Sequence, residues 1–489
     1  MKSPRCILRL CYGILAAVVL CAPASGQMGG GGMGGGAGGG GMGGGAGGGA
    51  GGGAAGGGGG ITTAAGVVID AQGVLRAQAV PDAGLSLERR KAAVATLPGD
   101  LQKPAALRMV ALSRLEAEVA KAGAAGRGIP DEFEKLAGLT RLRYVFIYPG
   151  SGSERGEVVI AGPAEPWMTD ATGRVVGIET GAPTLLLEDL AAALRAFPPG
   201  QPRDRFLGCS IDPKQEGLAA MQAYLRKLGR INPRASGAEE IVSGMRQALG
   251  TQVVRVDGVP PATHFAQVMV EADYRMKLIG IGLERPPVKM ATWIELASAG
   301  TVAANALQRW YFVPDYQCVR VSEDDLAIEL VGRGVKLVGA DEAVLPDGRR
   351  MSADRADRAS RLFTEAFTKK YPEIAARNPV YAQLRNLVDM AVAAAYLQEH
   401  DAYGRAQWGA AALLDEKAYA IERHAVPLEV ETAINAVWRQ NRLLTPIGGG
   451  VTMQPTIALE SPNLLMDEDG TVAKAHAAAV TIPADRWWW

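Results

Sequence analysis

Histidine is scarce in this 489-residue chain, which holds four. That count argues against a His-rich metal centre, and the expectation is no bound metal and no cofactor. Charge of one sign is lacking too: 51 Lys and Arg balance 51 Asp and Glu. Bulk electrostatics therefore give no footprint for nucleic acid or an anionic membrane. The chain has no P-loop, no G-x-S-x-G elbow, no H-E-x-x-H and no C-x-x-C, so the commonest phosphate, serine-hydrolase, zinc-protease and thiol-redox chemistries have no motif to rest on. Past the N-terminal region no apolar run is long enough to span a bilayer, and the stretch Leu387 to Leu397 is interrupted by Asp389. Cysteine is nearly absent: Cys6, Cys11 and Cys21 lie in the first 26 residues, which leaves Cys209 and Cys318.

The N-terminus has the layout of an export signal. Lys2, Arg5 and Arg9 precede an apolar stretch from Leu10 to Leu20, and Ala24 and Gly26 suit cleavage before Gln27. Residues 1–26 are expected to be a signal peptide and the protein to be exported: periplasmic, at the cell surface or secreted. A lipoprotein reading at Cys21 fails because Leu20 stands where such signals want a small residue. Outside the cytoplasm a Cys209–Cys318 disulfide is one reading, set against two buried thiols. Residues 27–60 are nearly all glycine, with no side chains to bury and the largest backbone entropy to lose, so a disordered tether is expected. Glycine does not recur strictly every third position, which excludes collagen.

Pattern and punctuation predict an α+β fold with mixed hairpins and short helices first, a long buried central helix with an antiparallel meander next, and a helical C-terminal part. The corresponding regions are 61–235, 236–350 and 351–450, followed by a loop-rich tail, 451–489. The central element is Thr263 to Gly282. Phe265, Val268, Met269, Ala272, Met276 and Ile279 make one helical stripe; Val270, Tyr274, Leu278 and Ile281 make a second on the opposite side. Two stripes imply cover on both sides. Gly73 marks a hairpin, and Tyr144 to Tyr148 pairs with Glu157 to Ala161. Residues 85–121 read as helix-like segments broken at Pro98-Gly99 and Pro104. Asp212 reads as the cap, and Pro213 as the first residue, of a helix running to Leu228. Cys318 to Val321, Leu326 to Val331 and Val335 to Val338 read as the meander. Helix is expected from Asp354, then from Pro379, and last across Val430, Ile434, Val437 and Trp438.

Several phrases are specific enough to compare: HFAQVMVEADYRMKLIGIG, RWYFVPDY, CVRVSEDDLAIELVG and PVYAQLRNLVDMAVAAAY. With the Gly-rich leader and VVIDAQGVLRAQ, they resemble a family of large exported planctomycete proteins defined by a domain of unknown function. The resemblance covers most of residues 61–450. It implies export and one long shared architecture, with no activity, cofactor or catalytic residue to carry over.

Five constellations bear on chemistry. Cys209 with His264 is a conceivable nucleophilic pair, against a buried thiol and an ordinary helix-start histidine. Glu271 with Arg275 and Asp273 with Lys277 read as solvated ion pairs in the seams of the central helix, against an acid/base role. Glu323-Asp324-Asp325 reads as a solvated turn, and Asp467-Glu468-Asp469-Gly470 lacks a first calcium ligand because Leu465 stands there. Trp487-Trp488-Trp489 reads as packing back onto the fold, against a partner or membrane interface. Catalytic and binding residues thus stay unassigned. The leading expectation is an exported non-catalytic protein acting in binding or envelope structure, whose partner is an unidentified protein or envelope component. The competing one is an exported hydrolase, which polar residues converging in a cleft around His264, Glu271 and Asp273 would favour.

Overall fold

The computed structural model describes residues 67–70, 72–77, 87–152, 155–228, 238–297, 306–340, 342–344, 350–352, 358–435, 437–439, 442–444, 448–479, 483 and 486–489. The expected signal peptide, the Gly-rich run and the expected helix start at Asp354 lie outside them. The described residues belong to one compact unit, Gly58–Trp489, with an α+β fold.

Two sheets organise it. Their strands in chain order are β1 (Val67–Ile69), β2 (Val74–Ala77), β3 (Ala105–Ala111), β4 (Tyr144–Tyr148), β5 (Glu157–Ala164), β6 (Leu207–Pro213), β7 (Gln252–Asp257), β8 (Trp310–Pro314), β9 (Val319–Val321), β10 (Ala327–Leu330), β11 (Val335–Gly339), β12 (Glu429–Val430), β13 (Gly449–Met453) and β14 (Leu465–Met466). The larger sheet runs β1-β2-β12-β7-β6-β13-β8-β11 and the smaller β14-β9-β10-β4-β5-β3. Each of the consecutive sequence regions therefore supplies strands to the larger sheet. The expected hairpin pairs Val67 with Ala77, and Gly73 at its turn has φ +79°. β4 and β5 pair as expected, Tyr144 with Ala161 through Tyr148 with Glu157.

The helices are α1 (Leu87–Thr96), α2 (Leu112–Ala124), α3 (Leu187–Ala196), α4 (Gln215–Leu228), α5 (Ala238–Leu249), α6 (His264–Gly280), α7 (Arg358–Arg377), α8 (Pro379–Glu399) and α9 (Thr471–Ala478), with shorter turns between. The central helix α6 is the predicted one, capped by Thr263, whose hydroxyl accepts from the Ala266 amide. It packs on β6, β13 and β8 of the larger sheet and against α8 and α3 on its other side. All ten residues of its two stripes are buried. Its last turn approaches β8 closely: a Cβ on Gly280 would stand 2.3 Å from the Trp310 ring. Trp310, Phe312, Phe363, Phe367, Tyr371 and Tyr381 then form an edge-packed aromatic core between β8, α7 and α8. Among the described residues no helix is long and apolar enough to cross a membrane.

Burial on both sides has a measurable consequence. Met269→Ala and Leu278→Ala sample opposite faces of α6, and each is expected to cost about 2–5 kcal/mol through lost transfer energy and a residual cavity. Denaturant unfolding checks this, and a mild Leu278→Ala beside a severe Met269→Ala would contradict a two-sided core helix.

Four expectations are corrected. Ala105–Ala111 is a strand at the edge of the smaller sheet, because β5 offers it a ladder that outweighs its Ala- and Leu-rich composition. Asp212 and Pro213 end strand β6 instead of opening α4: Asp212 is drawn to Arg309 at 2.6 Å, and Lys214 accepts the first helical bond, from the Leu218 amide. The meander splits after β10. β10 pairs with β4 whereas β11 crosses to pair with β8 in the other sheet. Among the described residues the expected last helix is absent: Glu429–Val430 is a strand between β2 and β7, and Val437–Arg439 pairs with Arg442–Leu444. Those pairings take the backbone donors that a helix would have used.

Candidate functional site

The charges on α6 are not solvated. Asp273 is 0% exposed and Glu271 2%. Lys277 donates to Asp273 at 2.7 Å and also reaches the Ile211 carbonyl in β6 at 3.5 Å. Burial pushes the Asp273 carboxyl up to about 6, against the pull of Lys277. On the other seam Arg275 lies 3.4 Å from Glu271 and 2.8 Å from Glu284. The partner that the sequence reading missed is Arg174, buried in the turn before strand Val175–Gly177, which meets Glu271 at 2.6 Å. Nothing in the local sequence marks Arg174. It finds Glu271 through the fold, 97 residues away.

Arg174 begins a relay. Its Nε donates to Gln383 Oε1 on α8 at 2.8 Å, which turns the Gln383 amide nitrogen toward His264 Nε2 at 3.3 Å. That network assigns Nε2 of His264 as an acceptor and places the ring proton on Nδ1, facing Asp189 Oδ2 on α3 at 2.8 Å. Burial opposes charge on His264, but the carboxylates of Asp189 and Glu188 together raise the histidine pKa. A second histidine lies alongside: the His424 ring centroid is 5.8 Å from that of His264, and His424 Nε2 is 3.2 Å from Glu188. Two of the chain's four histidines thus meet at the start of α3, each facing a carboxylate.

The other candidate residues separate. Cys209 and Cys318 are free and buried. They belong to different sheets, Cys209 within β6 and Cys318 beside β9, so no bridge joins them. Cys209 does not pair with His264, whose two nitrogens face Asp189 and Gln383, and burial pushes its thiol pKa up, away from a reactive thiolate. Glu323, Asp324 and Asp325 form an exposed turn in which Asp324 accepts from the Ser322 hydroxyl and the Leu326 amide. Asp467 accepts from the Ala473 amide at the start of α9, the part of a helix cap. The tryptophans do pack back. Trp488 bridges to Val110, and Met109 and Trp489 exchange both backbone hydrogen bonds, at 2.9 and 3.1 Å, so the segment lies along the β3 edge.

A cleft of about 680 Å³ opens between α2, β4, β5 and the loop 406–412, within the range of ligand seats. Glu116 on α2 accepts from Trp408 Nε1 at 2.6 Å and from the Ala412 and Leu413 amides at 2.6 and 3.1 Å, pinning that loop. Glu157 on β5 accepts from the Ser113 amide and hydroxyl, at 2.9 and 2.6 Å, and from the Val158 amide at 3.0 Å. Both oxygens of both carboxylates are therefore committed to the walls. Burial raises the Glu157 pKa in spite of these donors. Gln407 and Ala410 in the loop hold φ of +50° and +46°, a left-handed backbone that costs non-glycine residues about 1 kcal/mol or more each. Ala117 and Ala120 line the cleft with exposed side chains, as does Arg155, which has no ion-pair partner among the described residues.

With this geometry in hand, the comparisons add one match. A family described as a protein of unknown function, DUF1598, matches residues 209–293, from β6 through α6 to the buried Trp293. The matched segment holds His264, Glu271, Asp273 and Lys277, whereas the cleft lies outside it. No curated protein and no solved structure matches the chain.

Proposed function

We propose that the chain is an exported, non-catalytic binding protein of the planctomycete type that its sequence resembles, tethered through residues 27–60, with its ligand seat in the cleft between α2 and the loop 406–412. One observation carries this reading. The cleft's two buried carboxylates spend every oxygen on the walls, so they brace a preformed seat and are not poised to exchange protons with a substrate. The strained loop supports it, since left-handed non-glycine backbone gathers at ligand seats. The exposed Arg155 suits a carboxylate-bearing peptide segment of an envelope component. The competing hydrolase reading draws on the His264–Asp189 pair, but Glu271 and Asp273 beside it are buried and held in ion pairs.

The test is binding of a short acidic peptide, Ala-Ala-Glu, by calorimetry, beside assays for turnover of nitrophenyl esters, nitrophenyl glycosides and casein. Native protein is expected to bind and to turn over nothing. Ala117→Trp, which fills the cleft from an exposed position, is expected to weaken binding about tenfold or more. Turnover that disappears in His264→Asn would overturn the reading.

A further inference from the structure

Between the short helix Ala411–Leu414 and β12 the chain runs through 415–428 with no helix or strand. Irregular segments of this length are uncommon in a compact fold unless something holds them. Several contacts do: Arg195 on α3 donates to the Leu413 carbonyl at 2.8 Å and to the Tyr419 carbonyl at 2.5 Å, the His424 amide donates to the Ala262 carbonyl, and Gln267 donates to the Ala425 carbonyl. At the far end, opposite the start of α3, polar groups gather. Glu188, Glu422 and His424 place one ligand atom each within 4.8 Å of one another.

We propose that Glu188, Glu422 and His424 bind a divalent first-row transition ion that clamps the 415–428 segment to the N-terminal turn of α3. Three observations support it. First, the spacing suits an ion: ligands held at about 2.0–2.1 Å by a tetrahedral zinc stand about 3.3–3.4 Å apart, and His424 Nε2 and Glu188 Oε2 are 3.2 Å apart. Second, two carboxylates lie close together, and Glu422 has no ion-pair or hydrogen-bond partner among the described residues, an arrangement that a divalent cation relieves. Third, Asp189, adjacent to Glu188 in the same turn, is 4% exposed and carries a buried Oδ1 with no hydrogen-bond partner among the described residues, which adds to the negative field at that point. His264 is a neighbour and not a ligand, because Asp189 and Gln383 occupy its two nitrogens. One imidazole and two carboxylates is a set that zinc, manganese and iron all accept. It leaves a coordination position for water. The low histidine count bears on His-rich centres and does not exclude a site with one.

The experiment uses the full chain without an affinity tag, stripped by a chelator and titrated with zinc alone. Calorimetry is expected to find one zinc per chain. Zinc is expected to raise the thermal midpoint and to slow tryptic cleavage after Arg423, which is exposed within the clamped segment. Glu422→Gln and His424→Ala are each expected to weaken zinc binding about 10–100-fold or more and to abolish the protection at Arg423. Glu422 is exposed, so its variant reads the site even if His424→Ala folds poorly. No zinc uptake by native protein, or uptake and protection unchanged in Glu422→Gln, would overturn the proposal.

Discussion

Lys277→Gln is expected to destabilise the protein by about 3–5 kcal/mol, the cost of leaving a buried charge without its partner. The sequence presents Asp273 and Lys277 as an ordinary i,i+4 pair, worth a few tenths of a kcal/mol on a surface. The fold places Asp273 out of reach of water, between α6 and the strand that holds Cys209. The effect depends on pH with a defined sign. The Asp273 pKa is raised to about 6 from 3.8, so the folded state binds a proton more readily than the unfolded one. This group's contribution to stability is full below about pH 4 and is lost as pH rises through 6. Without Lys277 the carboxylate is penalised further, so the gap between native protein and variant should be small near pH 4 and widen above 6. Denaturant unfolding at both pH values measures it. Replacing both residues by apolar ones, Asp273→Leu with Lys277→Met, should recover much of the loss, since no charge is then left unpaired. A loss under about 1 kcal/mol for Lys277→Gln at pH 7 would show the pair to be solvated.

Deleting Trp487–Trp489 is the second large effect. Trp487 is 8% exposed and stacks on Phe133 with ring centroids 4.6 Å apart; Trp488 lies against the Arg108 guanidinium at 5.5 Å. The deletion removes that burial, worth about 3–5 kcal/mol for a buried Trp, together with three backbone hydrogen bonds to Met109 and Ala111. It also bares β3, and an unprotected edge pairs with other chains. Thermal unfolding should show a midpoint lower by several degrees, and light scattering should show self-association. An unchanged midpoint in a monodisperse protein would mean that the tryptophans are passengers on the surface.

What was legible in the sequence follows from the range of the interactions. The central helix could be read because its two stripes are a local pattern, and Thr263 caps it through a contact three residues away. The hairpin at Gly73 and the β4–β5 pair are local for the same reason. The β3 strand could not be read, because Ala-Ala-Leu-Arg-Met-Val-Ala carries helix-forming residues and becomes a strand through β5. Val430 and Ile434 imitate helical spacing, but β2 and β7 claim the backbone at Glu429–Val430. Burial of charge was hidden for a related reason: i,i+4 spacing is the same on a wet surface and under a sheet. The histidine pair, the cleft and Arg174 are assembled from distant segments, and no spacing rule reaches them. His264 and Gln383, for one, are 119 residues apart.

On the proposed function, the chain binds its ligand in the cleft framed by Glu116 and Glu157. Hydrogen–deuterium exchange of the native chain with and without Ala-Ala-Glu tests it most directly. Protection is predicted in 112–124, 148–157 and 406–413, with the amides around His264 and His424 unchanged. Protection confined to the two histidines and α3, with the cleft unaffected, would contradict it.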